Sequence, residues 1–304
     1  MRRFLFPILI SLLAIACKST APPAQPSARG SKYAPKEPIP ADLRASVERA
    51  KGLGREIYLQ DKAGWIGSDV VLDAVKTLEG KGMGGFIAIR EGDESGPLPS
   101  YLVLFYTHED TPRVRYQVRV PFVVGAKPSL ETLDPPKPVA DDLATLVHAR
   151  EAAVDAVGSL GHAMNTVVLP DPDGGILVYL LTPATRPHTV VFGKHYRVSL
   201  TIKGIVKTVE PLSKGDLEIS TAPPDEGQLN AIFVTHLLSG YPLETHVAAS
   251  LMADLPVMVV TARGFWWVNR DAIGYSSTKV PRGMSEKLEM AKRYVVGPGD
   301  AQSH

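Results

Sequence analysis

Apolar residues follow helical spacing over residues 41–79, which predicts a long helix with one buried face. The run Asp-Lys-Ala-Gly-Trp at 61–65 predicts a bend in this helix, and the glycines from Gly80 to Gly85 predict its end. Short apolar runs then predict three strands, at 85–90, 100–107 and 113–120. The third run alternates strictly between apolar and polar residues, which is typical of a strand with one face in water.

Prolines are frequent between residues 121 and 138 and predict a loop there. The order of elements then starts again, with a second helix predicted over 139–160. The remaining pattern predicts strands at 165–169, 176–181, 195–202, 206–212, 228–236, 256–261, 265–268 and 272–275, a short helix at 244–252, and a terminal helix at 285–293.

This order predicts an α+β protein made of two helix-plus-antiparallel-sheet units, with the sheets packed against the helices. We expect the first unit at 40–121 and the second at 139–296, joined by the proline-rich connection 122–138. Two halves that share one core remain the alternative. Residues 297–304 are expected to form a disordered tail.

The N-terminus has the layout of an export signal. Arg2 and Arg3 supply positive charge, an apolar run begins at Phe4, and small residues precede Cys17, the single cysteine of the chain. The apolar run is too short to cross a bilayer, which takes about 20 residues. The segment Leu13–Cys17 resembles a lipobox, and this resemblance implies that residues 1–16 are removed and Cys17 is acylated. A plain secretory signal with an incidental cysteine is the alternative.

Residues 17–39 are rich in Pro, Ala and Ser and predict a flexible tether behind the lipidated cysteine. By resemblance to lipoprotein sorting rules, Lys18 favours the periplasmic face of the outer membrane over the inner membrane. The expected membrane partner is therefore the bilayer itself, through acyl chains on Cys17, and a protein of the envelope is a further candidate partner.

Charge narrows the class of partner. The chain of 304 residues has 33 basic and 32 acidic residues, and loss of Arg2 and Arg3 with the signal leaves one acidic residue in excess. Such a balance gives no electrostatic reason to bind nucleic acid or an anionic membrane surface. No Gly-x-Ser-x-Gly motif is present, and acylation would use the one thiol. We therefore predict neither a catalytic nucleophile nor a cofactor.

One cluster of residue types could support hydrolysis. His236 follows an apolar strand, and Glu244 and His246 begin the next element after a short loop. Two imidazoles and a carboxylate are enough for a catalytic zinc, although their spacing matches no local metal motif, and we predict no metal. A helix cap at Glu244 and a structural hydrogen bond at His236 are the alternatives. The other strand and turn histidines, His108, His188 and His195, are expected to be loop or surface residues.

Aromatic residues suggest a second kind of site. Trp266 and Trp267 are adjacent on a predicted strand, so their side chains point to opposite faces of a sheet. One is expected in the core, and the other is a candidate contact residue at the surface beside Arg263.

Two resemblances cover the mature chain. Segments of the second predicted unit are similar to a set of bacterial exported proteins with no assigned activity: Asn165–Pro170, Val178–Leu181, Gly193–Arg197, Thr235–His236, Glu244–Val247, Leu255–Val257 and Thr261–Trp267. The order of elements over 139–268 also resembles JAB/MPN-type domains. Active members of that family have His-x-His followed by Ser and Asp, whereas Leu237 and Leu238 follow His236 here, so the resemblance implies the fold and not the zinc chemistry.

The sequence as a whole predicts a lipid-anchored envelope protein that acts as a binding or structural module. A hydrolase centred on His236, Glu244 and His246, with or without a metal, is the alternative.

Overall fold

The structure is a computed structural model that describes residues 37–78, 82–92, 99–215, 217–222 and 229–277. It confirms the α+β class. The helices in these ranges are α1 (Arg44–Val75), preceded by a 3-10 turn at Ala41–Leu43, α2 (Asp141–Val157) and α3 (Glu244–Ala253). The strands are β1 (Met83–Glu91), β2 (Ser100–Thr107), β3 (Arg113–Pro121), β4 (Ser129–Pro138), β5 (Asn165–Pro170), β6 (Ile176–Leu181), β7 (Thr189–Val191), β8 (Tyr196–Leu200), β9 (Val206–Pro211), β10 (Glu218–Ser220), β11 (Ile232–Thr235), β12 (Val257–Thr261), β13 (Gly264–Asn269) and β14 (Ala272–Ser276).

Internal contacts divide the chain into two compact units. Among the described residues, unit 1 comprises Leu59–Pro183 and Tyr196–Glu210, and unit 2 comprises 37–58, Ala184–His195 and the part of 211–277 given above. This division differs from the boundary predicted at 122–138, because that segment contains β4, which pairs with β3 inside unit 1. The predicted terminal helix at 285–293 and the tail at 297–304 lie outside the described residues.

Unit 1 contains two antiparallel sheets, with strand orders β1-β2-β3-β4 and β5-β6-β8-β9. Helix α2 packs between side chains of both sheets. Val147 of α2 belongs to the same buried cluster as Leu104 of β2, Val178 of β6 and Leu200 of β8. Burial of such aliphatic side chains is the main favourable term in folding and contributes roughly 1.5–3 kcal/mol per side chain.

The C-terminal half of α1 covers the other face of the β1–β4 sheet. Two helix positions without a side chain make this approach close: Gly64 lies under the ring of Phe86, and a Cβ at Gly67 would be 3.2 Å from Cβ of Val103. The helix is continuous from Arg44 to Val75 and includes the run 61–65, where the sequence predicts a bend. Gly64 is therefore a packing position rather than a turn position.

The sequence predicts a loop over 121–138, but the structure has strand β4 in the second half of this segment. It lies at the edge of its sheet, where a missing N–H donor does little harm. Its register with β3 shifts between Val114, which faces Lys137, and Tyr116, which faces Thr132. The consecutive prolines Pro135 and Pro136 fall within this irregularity, so they interrupt few ladder hydrogen bonds.

The largely buried side chain of Arg150 forms a polar network inside unit 1. The guanidinium of Arg150 on α2 donates to the hydroxyl of Tyr106 at 2.9 Å, to Glu151 Oε1 at 2.6 Å and to Thr166 Oγ1 at 2.8 Å. Tyr106 in turn donates to Glu151 at 2.6 Å. A Cβ at Gly85 would lie 2.6 Å from the guanidinium carbon, so β1 needs glycine at this point. The network thus ties α2 to β1, β2 and β5.

A second polar contact joins α1 to β5. Asn165 Nδ2 donates to Asp61 Oδ1 at 3.0 Å. Burial raises the pKa of Asp61 to about 6, and the hydrogen bond from Asn165 offsets only part of that effect. The carboxyl group is therefore partly protonated near neutral pH.

Unit 2 has a four-stranded sheet of order β11-β12-β13-β14 and a small antiparallel sheet of β7 and β10. Strands β11 and β12 are parallel and are connected through α3, while the other pairs of the larger sheet are antiparallel. The N-terminal part of α1 contributes Val47 to the core of this unit, where it meets Val247 of α3 and Val259 of β12.

The described chain enters unit 2 at the edge of this sheet. Glu37 forms an isolated antiparallel bridge with Tyr275 of β14. Its carboxylate accepts the backbone N–H of Ser277 at 2.9 Å and the hydroxyl of Ser276 at 2.8 Å. These hydrogen bonds, the one from Ser277 first, lower the pKa of Glu37.

Two glycines of α1 in unit 2 should respond oppositely to the same substitution. A Cβ at Gly54 would lie 2.5 Å from both the Glu244 carbonyl oxygen and Cβ of Val247, whereas a Cβ at Gly52 meets nothing within 4 Å. We expect Gly52→Ala to raise the free energy of unfolding by about 0.5–1 kcal/mol, because alanine is the better helix former. Gly54→Ala should lower it by about 1–3 kcal/mol through overpacking. Chemical denaturation followed by circular dichroism measures both, and equal effects would contradict this packing.

Asp61→Asn should stabilise the protein in a pH-dependent way. The pKa of this carboxyl group is higher in the folded than in the unfolded chain, so stability falls as pH rises from about 4 to about 6 and the full cost of ionisation remains above that range. The amide keeps the acceptor for Asn165 but does not ionise. We expect a gain of at most about 3 kcal/mol at pH 7.5 and none near pH 4. Asp73→Asn, at an exposed position of the same helix, is the control, and a gain that does not vary with pH would contradict the assignment.

Candidate functional site

The structure brings the three predicted site residues of unit 2 together. His236 follows the carboxyl end of β11, and its backbone N–H donates to the Val260 carbonyl at 2.8 Å. The loop 237–243 then leads to the N-terminus of α3, where Glu244 and His246 lie. The rings of His236 and His246 meet edge to face, with their centroids 4.9 Å apart. The parallel β11–α3–β12 crossover explains this proximity, because α3 starts at the end of the sheet where β11 stops.

A third imidazole belongs to the same cluster. His195 lies just before β8 and is buried, with 7% of its surface exposed. Its Nε2 is 2.9 Å from the Val191 carbonyl oxygen, and its charge would act on His246. His195 thus lies in a loop, as one of the two predicted settings has it, but it is not at the surface, whereas His108 and His188 are exposed.

His246 caps helix α3 and is held neutral. Its Nδ1 accepts the backbone N–H of Leu243 at 3.0 Å, which places the ring proton on Nε2. Leu243 occupies the N-cap position but has no side-chain acceptor, so His246 satisfies the free N–H at the helix start. Burial, and then repulsion by His236 and His195, lowers the pKa of His246 to about 3.

His236 and Glu244 are also buried, with 5% and 2% of their surfaces exposed. Burial lowers the pKa of His236, and the nearby Glu244 carboxylate partly opposes this shift. Nε2 of His236 is buried and has no hydrogen-bond partner within the protein. It is the one imidazole nitrogen of the cluster shown to be unpaired, and a buried polar atom of this kind costs roughly 1–3 kcal/mol when it stays unsatisfied.

The protonation state of His246 limits what the cluster can bind. A metal ion needs an imidazole nitrogen with a free lone pair, and His246 uses its lone pair to accept the Leu243 N–H. Over the ranges that the structure describes, no group of three or more His, Cys, Asp or Glu side chains is arranged to hold a metal ion. The structure differs from both structural alternatives: the side chain that caps α3 is His246, where Glu244 was predicted, and Nε2 of His236 is buried without the predicted hydrogen bond.

The tryptophan prediction is wrong at one position. Trp266 is fully buried, and Trp267, expected at the surface if Trp266 fills the core, is only 7% exposed. Trp266 donates from Nε1 to Thr261 Oγ1 at 3.1 Å, and Trp267 packs in a separate buried cluster with Met258 and Phe265. Both faces of β13 are covered, which the alternation of side chains along one strand cannot reveal. These tryptophans therefore form no exposed contact patch.

Arg263, the third residue of the predicted contact surface, is at the surface but forms an ion pair. Its guanidinium donates to both carboxylate oxygens of Asp42, at 3.0 and 3.2 Å. The hydrogen bond with Asp42 and the attraction between the two charges raise the pKa of Arg263 and lower that of Asp42. The pair connects the turn before β13 with the start of α1.

Cys17, the predicted lipidation site, lies outside the described residues. Among the helices that the structure describes, none combines the length and the apolar character needed to cross a bilayer.

No protein-family model, curated protein or solved structure matches this chain. The likeness to exported bacterial proteins and to JAB/MPN-type domains therefore stays a prediction.

Two substitutions distinguish the contribution of His246 as a helix cap from the effect of its titration. Gln at this position, the third of the helix, can accept the Leu243 N–H as in a capping box, whereas Ala cannot. At pH 7.5 we expect His246→Ala to be about 1–2 kcal/mol less stable than His246→Gln.

The two variants should also differ from the parent in acid. A histidine with a lowered pKa contributes stability that is complete above about pH 6.5 and is lost as pH falls toward its folded pKa, about 3 for His246. His246→Gln should therefore lose about 1.4 kcal/mol less per pH unit than the parent between pH 6 and 4. Urea unfolding at several pH values measures this slope, and parallel curves would show that His246 does not titrate as described.

Proposed function

We propose that this chain is an exported bacterial lipoprotein whose α+β body works at a membrane as a binding or structural module. Residues 1–16 would be removed, Cys17 would carry the acyl chains, and the residues between Cys17 and Glu37 would link it to the folded body, which begins at the Glu37–Tyr275 bridge. The observation that carries the proposal is the position of Cys17: the only cysteine follows a basic start and a short apolar run, and a Pro-, Ala- and Ser-rich stretch follows it.

The physical chemistry of the anchor supports this order of parts. A buried methylene group contributes about 0.8 kcal/mol, so one acyl chain gives marginal attachment and two or three give stable attachment. A lone cysteine of an exported protein has no intramolecular disulfide partner, and acylation leaves no reactive thiol. By the sorting rule noted above, Lys18 favours the periplasmic face of the outer membrane.

The side chains of unit 2 support a module rather than an enzyme. His246 uses one ring nitrogen to cap α3, His195 contacts the Val191 carbonyl, and the Trp266 indole is tied to Thr261. These polar groups satisfy the backbone or the core instead of facing a substrate. The partner that such a module would hold is an envelope component, and crosslinking from intact membranes followed by mass spectrometry would identify it.

A displaced-cysteine experiment tests the anchor. The parent chain, when produced in a bacterium, should incorporate labelled palmitate and remain with the membrane after a salt wash. Cys17→Ser should lose both properties. The control is Cys17→Ser with Ser27→Cys, which restores a thiol ten positions further on, away from the short apolar run, and should stay unlabelled. Label in Cys17→Ser, or in the displaced-cysteine control, would overturn acylation at Cys17.

A second function has one observation in its favour. The short distance between the His236 and His246 rings, with Glu244 beside them and His236 Nε2 unpaired, is compatible with a hydrolase centred on these residues. A metal-dependent form would require His246 to give up its hydrogen bond with the Leu243 N–H. Elemental analysis of the purified protein tests the metal-dependent form. Stoichiometric zinc that is lost in His236→Ala and kept in His188→Ala, an exposed histidine of the same unit, would favour the hydrolase over the module.

A further inference from the structure

The turn between β8 and β9 in unit 1 is built to a fixed shape. The Thr201 N–H donates to the Ile205 carbonyl at 2.8 Å, and the Gly204 N–H donates to the Thr201 carbonyl at 2.9 Å. The Ile205 N–H donates in addition to Thr201 Oγ1 at 3.1 Å. Gly204 has φ of +76°, and a Cβ there would lie 2.8 Å from Cδ2 of His148, so only glycine fits. The turn is thus closed by hydrogen bonds and seated on α2.

This rigid turn presents large apolar side chains to solvent. Ile202 is 76% exposed and Ile205 is 62% exposed, and Val209 further along β9 is exposed on the same side of the strand as Ile205. Turn positions in contact with water usually have Gly, Asn, Asp, Ser or Pro. The exposed isoleucines add nothing to the core, which receives Val206 from this hairpin instead.

Lysines accompany the exposed apolar residues. Lys203 follows Ile202 at the tip, and Lys207 lies between Ile205 and Val209 on the same side of β9; both lysines are exposed. From Thr201 to Val209 the chain contains no acidic residue. We define the tip as Ile202, Lys203, Ile205 and Lys207. Aliphatic side chains flanked by flexible lysines match the boundary of a bilayer, where acyl chains meet anionic headgroups.

We propose that this tip docks on a membrane surface that contains anionic lipid, with Ile202 and Ile205 at the level of the headgroups and the two lysines against phosphate. This inference deepens the proposed function and rests on it, since an anchor at Cys17 would keep the body close to a bilayer. The stretch of about 20 residues between Cys17 and Glu37 spans at most about 70 Å at full extension, so the body stays within that distance of the lipid.

The neighbouring turn contains acidic residues. The turn between β5 and β6 lies at the same end of the sheet and contains Asp171 and Asp173. Their carboxylates oppose attraction to an anionic surface, although Asp171 is engaged in its own turn, where it accepts the Asp173 N–H at 3.0 Å. Attraction therefore depends on Lys203 and Lys207, and replacement of these two residues should remove it.

A fluorescence experiment on the full acylated chain tests the docking. Acylation at Cys17 leaves no free thiol, so Ile205→Cys supplies the single site for an environment-sensitive dye. The labelled protein is reconstituted in vesicles of phosphatidylglycerol and phosphatidylcholine that contain doxyl-labelled lipid. The matched control is Leu237→Cys, which is 68% exposed and apolar but has no lysine within two positions of it. The chain without an introduced cysteine shows whether Cys17 itself takes up dye.

We expect quenching and a blue shift at position 205 and neither at position 237. Replacement of both Lys203 and Lys207 by Gln should reduce the ratio of docked to free tip roughly 25-fold, because each lysine near an anionic surface contributes a factor of about five. Vesicles of phosphatidylcholine alone should give the same loss without any mutation. Both lysines are exposed, so the unfolding midpoint should not change.

The results separate the two proposals. Dye uptake by the chain without an introduced cysteine would show that Cys17 is not acylated and that the proposed anchor is wrong; docking is then judged from the quenching that Ile205→Cys adds to that background. An acylated chain with equal, low quenching at positions 205 and 237 would overturn the docking and leave the anchor intact. Quenching at 205 that does not respond to lysine replacement or to lipid charge would also overturn it.

Discussion

Arg150 is the residue on which the packing of unit 1 depends, because a guanidinium inside a core must satisfy its donors there. It does so through Tyr106, Glu151 and Thr166, which come from three different elements. A buried charge without such partners costs several kcal/mol, so the positions of α2 and of both sheets are fixed together. Unit 2 meets the same requirement with a neutral group: His246 supplies the acceptor that Leu243 lacks and remains uncharged. Each core therefore avoids an unpaired buried charge. Arg150 keeps its charge and pairs its donors, whereas His246 is deprotonated.

Most of the fold could be predicted from local pattern, and the failures have identifiable physical causes. The alternation at 113–120 identified β3, and helical spacing identified α1 and α2. Strand β4 was missed because Pro135 and Pro136 normally exclude a strand, and their tolerance depends on an edge position and a shifted register that only the assembled sheet provides. The division into units was missed for a related reason, since it depends on which distant strands pair. Strands β7 and β10, three residues each, are too short for a periodic signal.

The candidate site also depends on contacts between distant parts of the chain, which local sequence patterns do not show. The proximity of His236, Glu244 and His246 could be anticipated because a short loop separates them. His195 could not, because it is remote along the chain and joins the cluster only through tertiary packing. Its position next to the apolar segment Val190–Phe192 was the one available signal, and that signal also fits an ordinary loop residue. The burial of Trp267 was equally out of reach, since a strand pattern shows that two side chains point apart but not whether both faces are covered.

The entry of the chain into unit 2 has a mechanical consequence. Glu37 is bridged to Tyr275, and its carboxylate holds Ser276 and Ser277, so the first described residue is fastened to the edge strand β14 before the chain turns into α1. If Cys17 carries the proposed lipid, tension along the residues between Cys17 and Glu37 would reach these contacts of Glu37 first. It would be borne by hydrogen bonds at a sheet edge and would not pull directly on the helix whose side chains build the core. Movement of the membrane relative to the body could therefore be absorbed by peeling a few residues, which can re-form when the tension falls.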